Sequence, residues 1–254
     1  MAGVLILAKM TVLENARKQV FHVVTLLTLT VVCASVLLSV FTLGVQVKIL
    51  KDLCMTSILF CGGLLAVALA STSIPGEIES RTCYPVLARP IRRWQLVLGK
   101  YLGTLLTVYI GLAVIGAAFV LLVASQRALD SQLLVALGFA WLEVAVIAAV
   151  AICLSTFATP AVAAMVSFLI YMAGTVKIGY LKGLVDAVAN PAARVAARGC
   201  YHLLPNLESF DFKDSLVHNL QVPASYLSQV ALYGICYAAL MLTVGAWAFG
   251  RREL

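Results

Sequence analysis

Charge is scarce in this sequence: 11% of the 254 residues are Asp, Glu, Lys or Arg, where a soluble domain carries about 25%. That scarcity excludes a soluble fold of this length. Too few polar side chains are present to cover its surface, whereas lipid accepts the surplus of Leu, Val, Ala and Ile directly. The alternation expected of an outer-membrane barrel is missing as well, because the apolar runs are continuous and about twenty residues long. Helices are the spanning elements that remain. Histidine is nearly absent: His22, His202 and His218 are scattered and lie outside any Ser or Cys nucleophile motif, which disfavours an enzyme embedded in the membrane. His202 and His218 share one segment, so an outer metal site is the residual alternative.

Two further absences narrow the chemistry. No Cys-x-x-Cys pair occurs to suggest metal or redox work; Cys33, Cys61, Cys153 and Cys236 fall inside apolar runs. Cys54 and Cys200 both fall near the expected outer face, where a disulfide between them is conceivable but not demanded by the spacing. No G-x-x-x-x-G-K-[ST] phosphate loop exists either. The single Gly-Lys pair, Gly99-Lys100, is followed by Tyr101 and lacks the upstream glycine. The chain is therefore not expected to be an enzyme or to hold a cofactor of its own.

What is present is apolar: 63% of residues are hydrophobic, with a mean hydropathy of +1.03. Six apolar spans are expected at Val20–Leu43, Leu53–Ser73, Tyr101–Ala124, Leu133–Leu154, Ala161–Val176 and Tyr226–Phe249. Met1 to Gln19 alternates Leu5, Leu7, Met10 and Leu13 with Lys9, Arg17 and Lys18. This suits a helix lying along the interface rather than a cleaved signal peptide. The expected fold is all-α, one polytopic domain over residues 1–254.

Six spans place both termini on one side. The segments assigned to the inner face carry Lys9, Arg17, Lys18, Arg81, Arg89, Arg92, Arg93, Lys100, Arg251 and Arg252, against Lys48, Lys51 and Arg127 in the two short outer loops. The positive-inside rule then puts both termini in the cytoplasm of a plasma (inner) membrane. The +7 net charge is dispersed between apolar runs, so it marks loop ends and not a nucleic-acid groove. Residues 177–225 contain Pro191, Pro205 and Pro223 and balance their charge with Asp186, Glu208, Asp211 and Asp214, which reads as a helical outer cap.

The stretch Ile74 to Gly103 gathers seven charged residues in thirty. Pro75 with Gly76 ends the second span, and Glu77 and Glu79 fall in the first turn of a short cytoplasmic helix, where acids suit the helix dipole. Pro85 and Pro90 break that helix. Arg92, Arg93, Trp94, Lys100 and Tyr101 read as an anchor, with charge snorkelling to headgroups and rings at the interface. Anchoring gives no account of Glu77 and Glu79, which suit a protein partner better than an anionic leaflet.

The run "EIESRTCYPVLARPIRRWQLVLGKYLG" resembles the signature between the second and third spans of ABC-2-type transporter permeases. The opening "LAKMTVLENARKQV", the segment "YHLLPNLESFD" and the ending "FGRREL" agree with that family in the same order along the chain. The resemblance implies a coupling helix that docks on a separate ATPase subunit, with Glu77, Ile78, Glu79, Arg81, Thr82, Arg89, Pro90, Arg92 and Arg93 making or supporting the contact. Members commonly have Gly where this chain has Arg81, so the docking surface differs there. The resemblance further implies ATP and magnesium on the partner, a second permease copy in a homodimer or related heterodimer, and export rather than import.

Two features remain. Glu143 lies near the middle of the fourth span, where an acid costs about 2.5 to 3.5 kcal/mol unless offset. Either it lines a translocation path, or it is a protonated or hydrogen-bonded glutamate in a helix contact, with Tyr109 or a nearby Ser or Thr as partner. Gly99, Gly103, Thr107 and Gly111 form a small-residue stripe that suits close packing within one subunit more readily than a dimer seam. The alternative functions are an ion-coupled secondary transporter or channel using Glu143, and an assembly factor whose segment 177–225 docks a periplasmic partner. Nothing in the sequence selects a substrate.

Overall fold

The computed structural model describes residues 2–40, 46–76, 93–126, 130–175, 204–213, 215 and 222–251. Among the described residues, seven long helices carry the fold: α1 (Ala2–Ala16), α2 (Gln19–Val40), α3 (Gln46–Ser73), α4 (Arg93–Ser125), α5 (Ser131–Ser155), α6 (Pro160–Thr175) and α7 (Ala224–Gly250). A 3-10 turn, Glu208–Phe210, lies between α6 and α7. No strand occurs among the described residues.

Among the described residues, α3, α4, α5 and α7 are long and apolar enough to cross a membrane, and the bent pair α1 and α2 adds a fifth candidate. That pair breaks by 66° around Arg17 and Lys18, where the amides of both residues turn back onto Glu14 and Asn15 carbonyls. The fold is thus helical and multi-span.

Helix α5 forms the centre. It packs on α3, α4, α6 and α7, and its buried Ala136, Ala140, Ala145, Ala148, Ala149 and Ala151 let those neighbours approach closely. Large apolar side chains such as Leu26, Leu106, Leu121, Leu134, Leu169 and Leu232 point outward, as lipid contact requires. At the far end of α7, the Arg251 guanidinium stacks over Trp247 at 3.9 Å.

Two helices extend past the starts of their expected spans. Helix α3 begins at Gln46, ahead of the span expected from Leu53, and α4 at Arg93, ahead of the span expected from Tyr101 and just after Pro90, where a helix leading into that span is expected. Each extension contains a lysine whose charge is met by a distant acid: Lys51 pairs with Asp130 at the start of α5, and Lys100 with Glu14 of α1. Lys100 is accordingly no headgroup anchor, being only 2% exposed. Tyr101 is buried too, and its hydroxyl donates to the Ala145 carbonyl at 3.2 Å; of the two expected anchor rings, Trp94 is the exposed one.

Helix α6 is short. Its 16 residues span about 24 Å, less than the roughly 30 Å of a bilayer core. Chain from 204 to 213 fills the space beyond its end. The Leu207 amide donates to the Gly174 carbonyl at 3.1 Å, satisfying one of the carbonyls that a helix C-terminus leaves open. Gly174 and Gly234 make room for this segment: a side chain at 174 would strike the Pro205 carbonyl oxygen, and one at 234 the Phe210 ring. The segment buries its own Phe210 and Phe212, the latter against Phe139.

Candidate functional site

The expected coupling residues Glu77, Ile78, Glu79, Arg81, Thr82, Arg89, Pro90 and Arg92 lie outside the described residues. Arg93 opens α4. Helix α3 closes just before this segment and α4 opens just after it. Cys54 is a free, buried thiol beside Ser35, while Cys200, His202 and His218 also fall outside the described residues.

The small-residue stripe faces inward, within the chain. A β-carbon on Gly99 would lie 2.7 Å from Leu7 Cβ, and one on Gly103 would lie 2.5 Å from Thr11 Cβ and 2.7 Å from the Ala8 carbonyl oxygen. Both glycines therefore seat α1 directly on the backbone of α4. Thr107 is buried and its hydroxyl donates to the Gly103 carbonyl at 2.9 Å. Gly111 meets Phe21 and Thr25 of α2 and Leu65 of α3. The partner helix α1 was not foreseeable from the stripe alone.

Polar bonds lock the same seam. Asn15 Nδ2 donates to Thr104 Oγ1 at 3.3 Å. Glu14 accepts from Lys18 at 3.1 Å and from Lys100 at 3.3 Å, and Lys18 also donates to Thr72 of α3 at 3.3 Å. Burial alone would raise the Glu14 carboxyl, but the nearby Lys100 and Lys18 ammonium groups outweigh it and hold the group below its ordinary value. The outward side of α1, with Leu5, Ile6, Met10 and Leu13, stays exposed.

Glu143 sits at a second place, a cavity of about 170 Å³. Thr56, Leu59 and Phe60 of α3, Glu143 of α5, and Tyr171, Met172 and Thr175 of α6 line it, with Leu207, Glu208, Asp211 and Lys213 completing the wall. Glu143 is 2% exposed, and its Oε2 has no hydrogen-bond partner among the described residues. Tyr109 is not that partner: its hydroxyl donates to the Trp141 carbonyl at 3.1 Å, and its ring stacks on Trp141.

Tyr171 shapes the cavity wall. Its ring lies over Gly63, where a β-carbon would come within 2.5 Å of the ring, and its hydroxyl donates to the Leu59 carbonyl at 2.9 Å. Sequence reasoning flagged Glu143 but not Tyr171, Thr56, Asp211 or Lys213. The dense acids of "NLESFDFKD" were the available signal for the last two. Asp211 pairs with Lys213 at 3.4 Å. Among the described residues no group of three His, Cys, Asp or Glu could hold a metal ion.

The sequence profile of ABC-2 family transporter proteins matches residues 3–254. The chain belongs to the ABC-2 transporter family. No curated protein matches it. As an ABC-2 permease it is a transmembrane transport protein, and the family implies an ATPase partner within an ABC transporter. The α1–α4 seam joins the amino-terminal helix to one of the two helices that flank the segment between α3 and α4.

Proposed function

We propose that this chain is the six-span permease of an ABC-2 exporter, driven by a separate cytoplasmic ATPase that holds ATP and magnesium and docks on the Glu77–Arg93 segment. In this reading α2 to α7 are the six spans, with α1 at the cytoplasmic interface and both termini in the cytoplasm of the inner membrane. Two copies, identical or related, face each other in lipid, and residues 177–225 form an outer cap open to a periplasmic partner. The chain performs no chemistry of its own and binds no nucleic acid.

The observation that carries the reading is the continuity of α4. Its 33 residues extend about 50 Å as one helix, starting at the end of the proposed docking segment and long enough to cross a bilayer core of roughly 30 Å. A push on that segment is therefore delivered as a rigid-body movement of α4, and α1 travels with it through Gly99 and Gly103. ATP binding closes the ATPases, draws the docking segments together and opens the space between permeases outward.

The test is co-expression with its cognate ATPase subunit. Reversing Glu77 and Glu79 to Lys is expected to abolish co-purification and to lower ATP turnover of the complex. Recovery of an intact complex with normal turnover would overturn the docking assignment.

A further inference from the structure

We infer that the Glu143 cavity binds the ammonium group of a small primary amine, with the Glu143 carboxylate as its counter-ion. The inference deepens the transporter reading, on which it rests only for the claim that this amine is cargo.

Charge points to a cation. Three carboxylates, Glu143, Glu208 and Asp211, line the cavity against one ammonium, Lys213. Lys213 is held by Asp211 at 3.4 Å, so the chain already places one ammonium at this wall. Glu143 lies deeper, with a buried oxygen that no described group satisfies. A buried carboxylate oxygen aimed into a cavity is costly until a donor reaches it, and a charged N–H donor gives the strongest bond available there.

The walls select among cations. Metal ions need several ligands at short range, and among the described residues no group of three His, Cys, Asp or Glu could hold one. Leu59, Phe60, Met172 and Leu207 instead supply apolar surface, which suits the carbon body of an amine. Tyr171 commits its hydroxyl hydrogen to the Leu59 carbonyl, which leaves the oxygen as an acceptor for a second ammonium hydrogen. A primary ammonium has three hydrogens to place, and Glu143 and Tyr171 offer acceptors from two different helices.

Volume sets the size. The cavity holds about 170 Å³, close to the roughly 150 Å³ of an engineered cavity that binds benzene and below the roughly 300 Å³ at which drug-sized sites begin. It takes the ammonium end of a ligand and one ring or a short chain. That ammonium belongs either to a free amine or to an aminolipid headgroup.

The experiment uses the full-length chain in dodecyl maltoside micelles, without ATPase or nucleotide, so its failure is separate from that of the Glu77 and Glu79 test. Benzylamine and benzyl alcohol, equal in shape and different in charge, are titrated by calorimetry. Benzylamine is expected to bind the wild type tighter than benzyl alcohol by on the order of tenfold to a hundredfold, and Glu143→Gln is expected to erase that preference. The wild-type comparison stands even where the variant folds poorly. Added phosphatidylethanolamine, with phosphatidylglycerol as control, either competes with benzylamine, assigning a lipid headgroup, or does not, assigning a free amine; both outcomes support the site. Equal affinity for the two probes, or an undiminished preference in folded Glu143→Gln, would overturn it.

Discussion

Replacing Gly103 by Ala tests the seam between α1 and α4. The added β-carbon meets Thr11 Cβ at 2.5 Å and the Ala8 carbonyl oxygen at 2.7 Å. Neither can swing aside. One is backbone, and the other belongs to a threonine pinned by its hydroxyl bond to the Leu7 carbonyl at 2.9 Å. All of α1 has to lift, which also stretches the Asn15 to Thr104 bond one residue along. Overpacking of a tight contact costs about 1 to 3 kcal/mol, and two rigid obstacles place this site near the upper end. Alanine recovers about 1 kcal/mol of helix propensity over glycine, leaving a net loss of about 2 kcal/mol. Gly138 supplies the control, because a β-carbon there meets nothing within 4 Å, and Gly138→Ala keeps the full gain of about 1 kcal/mol. The two alanines should thus differ by about 3 kcal/mol, more than a hundredfold in the folded-to-unfolded ratio. Unfolding in mixed SDS and dodecyl maltoside micelles, followed by circular dichroism, reads the difference. If both variants shift the midpoint equally and in the same direction, the close contact assigned to Gly103 is wrong.

Acid should weaken the same seam. Glu14 is held below its ordinary value of 4.5, so its stabilising contribution is full above that value and is lost as pH falls through the lower folded-state value. The wild type should lose stability between neutral pH and the low end of that window, and Glu14→Gln should lose less over the same range, measured as unfolding midpoints. At the other face, Phe210→Ala empties a fully buried position against Gly234, a change that costs about 3 to 5 kcal/mol in a packed core. It should loosen residues 204–213 and speed trypsin cleavage after Lys213; an unchanged cleavage rate would mean that the ring does not hold the segment.

How much could be read beforehand follows from where partners sit in the chain. The apolar runs gave the helices because a membrane helix satisfies its own backbone and needs only local composition. The apolar spans within α3 and α4 are placed too late in the sequence for one shared reason: Lys51 and Lys100 look like interfacial ends. Their acids, Asp130 and Glu14, lie 79 and 86 positions away in sequence, and no local pattern carries a pairing of that separation. The glycine stripe was visible as a period, yet its occupant α1 is settled by packing. Glu143 stands out because a charge in an apolar run is costly wherever it sits, but the rest of its cavity comes from three other parts of the chain. The docking residues Glu77 to Arg92 rest on the sequence and the family alone.

The shortness of α6 has an electrical consequence. Because α6 ends early and the space beyond it is filled by a segment carrying Glu208, Asp211 and Lys213, polar material reaches inward to the level of Glu143, and the insulating layer on that side is thinned. The full transmembrane voltage is worth about 2.3 kcal/mol per elementary charge per 100 mV. In the proposed orientation, a cation passing between the outer solution and Glu143 crosses only part of that drop, and the greater part falls across the alanine-rich packing of α5 on the cytoplasmic side. Inward movement beyond Glu143 would then be the more voltage-sensitive stage of any passage along this route, and exchange with the outside the less sensitive one.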